Sequence, residues 1–229
     1  MTPPVLEFAG VSKDYRALRP LRVDRLSVSA AERLAIVGFD LAAAEVFVNL
    51  ATGAVLPDAG EVLAFGRPTS AIAESAEWLS LVDRFGIVSD RAVLLDGLTV
   101  LQNLAMPFTL EIEPPPDDIV QRASSLAREV GLRADDWGKR AADLDADARM
   151  RIRLARALAL DPAILLLEHP TATVERSQAG GLGRDVLAIA ERRGVALVAI
   201  TADEAFARAV APRVVTVDGR GRLGRHYFF

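Results

Sequence analysis

The sequence predicts an α/β fold in which helices cover a mixed sheet that carries a helical insertion. Short β-rich runs alternate with helical patterns along the chain, which is typical of this class. Several of these runs are apolar throughout, as expected for strands with helices on both faces. Seven strands are predicted, at residues 5–12, 33–39, 60–66, 84–89, 163–169, 195–201 and 213–217.

A stretch from about residue 98 to residue 160 contains no predicted strand. Within it, the stretch "EIEPPPDD" is the clearest signal that a helix ends, because its three prolines cannot continue one. Asp117 and Asp118 then cap a helix predicted from about 119 to 130. We therefore expect a single domain spanning 1–229. Its core lies at about 1–90 and 160–229, and its helical subdomain at about 91–159.

Length and composition narrow the class of protein. The chain has 229 residues, of which 51% are apolar, so it can bury a sizeable core. No apolar run reaches the roughly 18 to 20 residues that a spanning helix needs. The absence of cysteine excludes disulfides and thiolate metal sites. The N-terminus lacks a signal pattern, which favours the cytoplasm, and the net charge of −4 disfavours nucleic acid as a partner.

Six stretches occur together in a characteristic order and at characteristic separations. They are VSKDY (11–15), AIVGFDLAAAEV (35–46), LPDAGEVLAFGRP (56–68), FGIVSDRAVLLDGLTVLQNLAMPF (85–108), LDADARMRIRLARALALDPAILLLEHPTATVE (144–175) and AITADEAFARAVAPRVVTVDGRG (199–221). Over about residues 5 to 222 the chain thus resembles the nucleotide-binding subunit of an ATP-binding-cassette (ABC) transporter. The resemblance implies an ABC ATPase-like mixed sheet core with an antiparallel β part, and ATP and magnesium as the family's cofactors.

The phosphate loop departs from the family's G-x-x-x-x-G-K-[ST] pattern. Its nucleotide-contacting positions are Gly38, Ala43, Ala44, Glu45 and Val46. Only the first glycine is kept: an alanine replaces the lysine that neutralises phosphate, and Glu45 replaces the hydroxyl that holds magnesium. The chain's two lysines are at positions 13 and 139, so neither stands in. A carboxylate beside phosphate in a partly dry site is repelled by about 4 kcal/mol at an effective dielectric of about 20.

Other positions of the expected nucleotide site have changed as well. Glu168 stands where the family has its magnesium-binding aspartate, and His169 replaces the general-base glutamate. His169 is either a proton acceptor or a partly buried polar residue at a strand end. Ala202 replaces the switch histidine, and Asp90 replaces the glutamine that senses the γ-phosphate. Tyr15 either stacks on adenine or packs against the core. We expect no catalytic residue, no metal site and no bound cofactor.

The signature loop, Ser-Gly-Gly-Gln in the family, contacts the γ-phosphate held by the opposite subunit. Here it reads Asp145, Ala146, Asp147 and Ala148. Aspartate is a strong N-cap, and a helix N-terminus favours an anion by about 0.3 to 1 kcal/mol. We therefore hypothesise that internal carboxylates take the place of phosphate at both helix N-termini. Asp40 or Glu45 does so at the phosphate loop, and Asp145 or Asp147 at the signature loop.

Positions that serve folding and docking in the family persist. The stretch from Ala92 to Phe108 matches the region that receives the membrane subunit, so a membrane permease subunit is one expected partner. The same or another ABC subunit is the expected dimer partner. Arg149, Arg153 and Arg156 share one helical face, which favours a solvated face or contact with an acidic partner over nucleic acid.

Three functions remain open at this point. The pattern favours a degenerate ABC subunit that does not hydrolyse ATP and acts as a structural or regulatory partner in a membrane transport complex. It would be cytoplasmic and peripheral at the inner face of the membrane. One alternative is an active ATPase subunit that energises transport in a heterodimer. The other is a soluble protein-interaction module derived from a cassette domain.

Overall fold

A computed structural model describes residues 3–218 and 222–227. Over these residues the chain forms ten strands and seven α-helices. The strands are β1 Pro4–Lys13, β2 Leu21–Ser29, β3 Arg33–Val37, β4 Ala59–Ala64, β5 Arg67–Pro68, β6 Phe85–Val88, β7 Ile164–Glu168, β8 Ala196–Thr201, β9 Arg213–Val217 and β10 Leu223–Tyr227. The helices are α1 Leu41–Ala51, α2 Ser75–Val82, α3 Val100–Ala105, α4 Asp117–Glu129, α5 Ala146–Leu158, α6 Arg176–Arg193 and α7 Glu204–Val210. Short 3₁₀ turns lie at Thr69–Ala71, Ala134–Asp136 and Ala141–Asp143.

The strands form two sheets. The larger has six strands in the order β10-β9-β3-β8-β7-β6, and all neighbours pair in parallel except β10 with β9. The smaller is antiparallel, in the order β2-β1-β4-β5. The predicted α/β architecture with an antiparallel part is therefore confirmed.

The central strands are apolar throughout because each of their faces lies in a separate core. In β7, Ile164 and Leu166 belong to the core shared with α1 and the smaller sheet. The alternate residues Leu165 and Leu167 belong to the core shared with the helical segment and α6. Successive side chains of a strand point to opposite faces, so a strand covered on both sides needs apolar residues at every position.

All seven predicted strands are confirmed, with small shifts at their ends, but β2 was missed. Its buried residues alternate with exposed ones until Asp24 and Arg25, which are both exposed and shift the phase of the pattern. The charged residues and this shift hid a strand that pairs with β1 along most of its length. The short strands β5 and β10 were missed as well.

The segment between β6 and β7 contains helices and no strand in this described part of the chain, as predicted. The expectation that Asp117 and Asp118 cap α4 is wrong in detail. Pro116 occupies the N-cap position, and both aspartates lie in the first turn with no side-chain cap hydrogen bond. They still favour the helix, because acidic groups interact well with the N-terminal end of the helix dipole.

The topology brings the loops after four strands to one edge of the larger sheet. Because β3, β6, β7 and β8 run in the same direction, the loops that follow their carboxyl ends meet there. Gly38 allows the chain to turn from β3 into α1, and its φ is 109°. A Cβ added at this position would lie 3.3 Å from the Val217 Cβ, which is a tight contact. A side chain at this position would be strained, so the glycine has a structural reason to persist.

Candidate functional site

The first turn of α1 is capped by a side chain of the chain itself. Asp40 is the N-cap, and its carboxylate accepts a hydrogen bond from the Ala43 N–H at 2.8 Å. The Ala44 N–H donates to the backbone carbonyl of Asp40 at 2.9 Å. Ala43 and Ala44 are both buried. Of the two carboxylates predicted to serve this helix N-terminus, it is therefore Asp40 that does so.

Glu45 instead takes part in an ion-pair bridge that joins three segments. The Arg91 guanidinium lies 3.1 Å from the Glu45 carboxylate through Nη1 and 3.3 Å from Glu168 Oε2 through Nε. Its Nη2 also pairs with Glu168 Oε1. Ser89 adds a hydrogen bond from its hydroxyl to Glu168 at 2.8 Å. We call Glu45, Arg91 and Glu168 the Arg91 bridge.

The bridge is buried at one end and exposed at the other. The Glu168 side chain is 8% exposed, whereas those of Arg91 and Glu45 are 44% and 46% exposed. Burial by itself would lower the pKa of Arg91, but the hydrogen bond and charge of Glu168, together with the charge of Glu45, outweigh it and raise that pKa. The guanidinium is thus held charged between its two carboxylates.

Sequence reasoning missed Arg91. The available signal was chemical: two acidic residues replace groups that face magnesium phosphate in the family, and two converging carboxylates need a cation. The adjacent position, Asp90, was singled out, and its neighbour supplies that cation. Asp90 itself pairs with Arg153 of α5 at 3.3 Å and does not join the bridge.

His169 and Ala202 lie at the carboxyl ends of β7 and β8, where they line a cavity of about 930 Å³. His169 has a φ of 42°, and its N–H donates to the Ile200 carbonyl at 2.7 Å. Its Nε2 is buried, with no hydrogen-bond partner within the described residues. Ala202 is exposed. The geometry fits the interpretation of His169 as a partly buried residue at a strand end.

Two weaker candidates are packing residues in this structure. Tyr15 is partly buried and packs against the core formed with α1 and the smaller sheet. Burial, followed by the nearby charge of Asp40, raises the pKa of its phenol. Val46 packs against the same core.

The signature segment, residues 145–148, is also satisfied from within the chain. Asp145 is the N-cap of α5 and accepts from the Ala148 N–H at 2.8 Å. Asp147 accepts from Arg151 Nε at 2.6 Å, one helical turn away. Ala146 is the first residue of the helix. The predicted internal capping is confirmed here with Asp145 as the cap.

The arginines that follow are only partly exposed and bond within the chain, so the expectation of a solvated face is wrong, whereas contact with an acidic partner stays a prediction. Arg149 pairs with Asp96 at 2.8 Å, Arg153 pairs with Asp90, and Arg156 donates to the Val93 carbonyl at 2.8 Å. Burial, together with the charge of neighbouring Arg153, lowers the pKa of Arg156. These side chains attach α5 to the loop that follows β6.

The stretch from Ala92 to Phe108 is well organised. Thr99 caps α3 in a capping box with Gln102. Asn103 is fully buried and exchanges hydrogen bonds with both backbone groups of Leu95, at 3.0 and 3.1 Å. The apolar side chains of Val93 and Leu95 nevertheless remain 68% and 40% exposed. A fixed loop that presents apolar groups is typical of a contact surface.

Comparison with known proteins identifies the family. The family model described as "ABC transporter" matches residues 21–172, which is more than half of the chain. The chain belongs to the ABC transporter family. This ABC chain is 31% identical over 221 residues to the methionine import ATP-binding protein MetN of Caulobacter vibrioides, covering 96% of its own length and 65% of MetN. It is 29% identical over 223 residues to the lipoprotein-releasing system ATP-binding protein LolD of Chromohalobacter salexigens, covering 96% of itself and 92% of LolD.

Solved structures of ABC proteins share the fold. CbiO1 of Clostridium perfringens, described as part of the transporter complex cbiONQ, superposes with a TM-score of 0.80 at 18% identity, covering 99% of this chain and 89% of that one. The cassette MJ0796, solved as a dimer bound to ADP and phosphate, gives a TM-score of 0.77 at 20% identity, with coverage of 97% and 98%. These matches confirm an ABC cassette fold.

Among the residues that the structure describes, no helix is long and apolar enough to cross a membrane. In the same part of the chain, no group of three or more His, Cys, Asp or Glu side chains is arranged to hold a metal ion.

Proposed function

We propose that this chain is a degenerate ABC subunit that does not hydrolyse ATP and serves as a structural or regulatory partner in a membrane transport complex. The observation that carries the proposal is the Arg91 bridge. Glu45 and Glu168 occupy the positions from which the family holds magnesium, and here a guanidinium of the chain itself lies between them.

The residues present do not suit magnesium nucleotide. Phosphate binding in a loop of this kind needs free backbone N–H groups and a cation. The Ala43 N–H is already bonded to Asp40, and Ala44 offers no charge. A magnesium ion between Glu45 and Glu168 would have to displace Arg91. Phosphate arriving without that ion would meet a carboxylate, and like charges at such distances repel.

The signature segment supports the same proposal for a partner's site. Asp145 and Asp147 bring two carboxylates to the turn that contacts nucleotide in the family. Their charges would oppose a γ-phosphate held by the opposite subunit. A heterodimer containing this chain would therefore be impaired at both composite sites, which disfavours the active-ATPase alternative.

The names of the relatives suggest which partners the chain has and where it works. MetN and LolD are named as ATP-binding proteins of an import and a lipoprotein-releasing system, and MJ0796 was solved as a dimer. By analogy, the chain pairs with the same or another ABC subunit and contacts a permease through residues 92–108. It then lies in the cytoplasm, peripheral at the inner face of the membrane. The exposed Val93 and Leu95 support this contact.

The test is to isolate the tagged chain with its complex from native membranes and measure ATP turnover. We expect a permease subunit to copurify, and turnover of the complex to be unchanged by Glu168→Gln in this chain. Glu175→Gln, at an exposed glutamate before α6, is the matched control. Only variants that still copurify with the permease are compared, so that loss of folding is not mistaken for loss of catalysis.

Two results would overturn the proposal in different ways. If turnover is abolished by Glu168→Gln but neither by Glu175→Gln nor by Arg91→Gln, which breaks the same bridge, the chain is an active ATPase subunit. If no membrane protein accompanies the chain under conditions that retain its other partners, the soluble interaction module is the better account.

A further inference from the structure

Asp90 and Arg91, which are adjacent in the loop after β6, form ion pairs with different parts of the molecule. Arg91 reaches Glu45 and Glu168 in the Arg91 bridge. Asp90 reaches Arg153 of α5, whose side chain is only 14% exposed. One dipeptide therefore ties the start of α1 and the end of β7 to the signature helix.

The loop backbone is fixed at the same place. The Ser89 hydroxyl donates to Glu168 at 2.8 Å and accepts from the Arg91 N–H at 3.1 Å. The Ala92 N–H donates to the Ser89 carbonyl at 3.0 Å, and the Val93 carbonyl accepts from Arg156 at 2.8 Å. Ser89 and Arg91 are thus bonded to the bridge, Asp90 and Val93 are bonded to α5, and Ala92 is bonded within the loop.

This anchored loop leads directly into the proposed permease contact. Ala92 begins that segment, and Val93 and Leu95 are its exposed apolar side chains. The bonds of Asp90 and Arg91 thus fix the start of this segment, while Arg156 holds Val93 and Asn103 holds Leu95. In the family as described above, the residue at position 90 senses a bound phosphate and magnesium. In this chain the loop is held by ion pairs within the protein: Asp90 pairs with Arg153, and Arg91 pairs with Glu45 and Glu168.

We propose that Asp90 and Arg91 form an internal latch that holds the docking segment in one conformation without nucleotide. The inference rests on the proposed function and goes beyond it, because it makes docking of the membrane partner independent of ATP. Arg91 acts as a positioning residue: its charge neutralises the buried Glu168, and its geometry fixes where the chain enters the docking segment.

Charge and shape are both needed for this role. Glu168 is almost fully buried, and a buried carboxylate without a partner is strongly unfavourable. A guanidinium can contact two carboxylates at once through separate N–H groups, whereas a lysine ammonium is a single point charge. Arg91→Lys is therefore expected to keep part of the latch, and Arg91→Gln to release it.

The latch can be tested by hydrogen exchange of the full chain. Replacing Arg91 with Gln should speed exchange of the amides at positions 91 and 92 by about tenfold or more, since both bond to Ser89 and local opening would cost less free energy. Amides in β8 should be unchanged. Arg91→Lys should fall between Arg91→Gln and the wild type. The matched control is Arg140→Gln, which removes an exposed arginine whose ion pair in the described part of the chain is with Asp143, and it should leave residues 89–98 unaffected.

A second variant guards against simple unfolding. Asp90→Asn leaves the Arg91 bridge intact and cuts only the link to Arg153, so it should also speed exchange in residues 89–98 while the global unfolding midpoint stays near that of the wild type. Unchanged exchange in this segment for both Arg91→Gln and Asp90→Asn would overturn the latch.

The outcome separates the latch from the proposed function. Adding magnesium ATP to the wild type should not alter exchange in residues 89–98, and a change in that segment would contradict nucleotide-independent docking. If ATP leaves hydrogen exchange of the wild type unchanged and the variants exchange at the wild-type rate, the proposed non-hydrolysing function stands and only the latch proposal is overturned.

Discussion

The two loops that contact nucleotide in the family have been rebuilt here in different ways. At both, an aspartate caps the helix: Asp40 for α1 and Asp145 for α5. The second carboxylate differs. Asp147 pairs with Arg151 one turn along the same helix, whereas Glu45 pairs with Arg91, which is 46 residues away in sequence and also holds Glu168.

The two carboxylates differ in what depends on them. Arg151 has partners besides Asp147, because it also bonds to Asp185 of α6 and to the Val130 carbonyl, each at 2.7 Å, and it keeps them when Asp147 is lost. The Arg91 bridge joins α1, the β6 loop and the end of β7, and the buried Glu168 depends on it. In the proposed degenerate subunit, the second carboxylate therefore has the smaller structural role at the signature segment and the larger one at the phosphate loop.

The largest effect is expected from Arg91→Met. Among the described residues it leaves the mostly buried Glu168 with the Ser89 hydroxyl as its remaining side-chain partner, and breaking such a pair at a half-exposed arginine should cost about 1 to 3 kcal/mol of unfolding free energy. Urea denaturation measures it. Arg140→Met, at an exposed surface pair, is the control and should show no measurable change. Equal stability of the two variants would mean that the bridge contributes nothing.

The two caps should have equal and smaller effects. Asp40→Ala and Asp145→Ala each remove a side-chain acceptor from a helix N-terminus, so each should lower the unfolding free energy by about 1 kcal/mol. Asp→Ser at either position should restore most of the loss, because serine is also a good N-cap. A cap variant with no effect on urea unfolding would show that its helix end is satisfied in another way.

The smallest effect is expected from Asp147→Asn, at about 0.5 kcal/mol, because Arg151 keeps Asp185 as a charged partner and the lost pair is partly solvated. In the double variant, the losses of unfolding free energy from Asp147→Asn and Arg91→Met should add to within about 0.5 kcal/mol, since the two regions share no partner. A larger coupling in the urea series would show that the two loops form one network and would remove the contrast between them.

The starts of α1 and α5 and their N-caps could be predicted from local sequence. Gly38 after an apolar strand and an aspartate before each helix are short-range signals, and Asp40 and Asp145 appear where those signals place them. Arg91 could not be found this way. Its bridge exists because β6 lies beside β7 in the sheet, which brings together residues 77 positions apart. Similarly, β2 was hidden by a change of phase at Asp24 and Arg25, which its pairing with β1 tolerates.

The most direct test of the account is a calorimetric titration of the purified chain with magnesium ATP. Because the phosphate-loop cation is absent and Arg91 holds both facing carboxylates, we predict no binding tighter than about 1 mM. A dissociation constant in the range of about 1 to 10 μM would contradict the account, since it would require magnesium and phosphate to displace the Arg91 bridge at little cost.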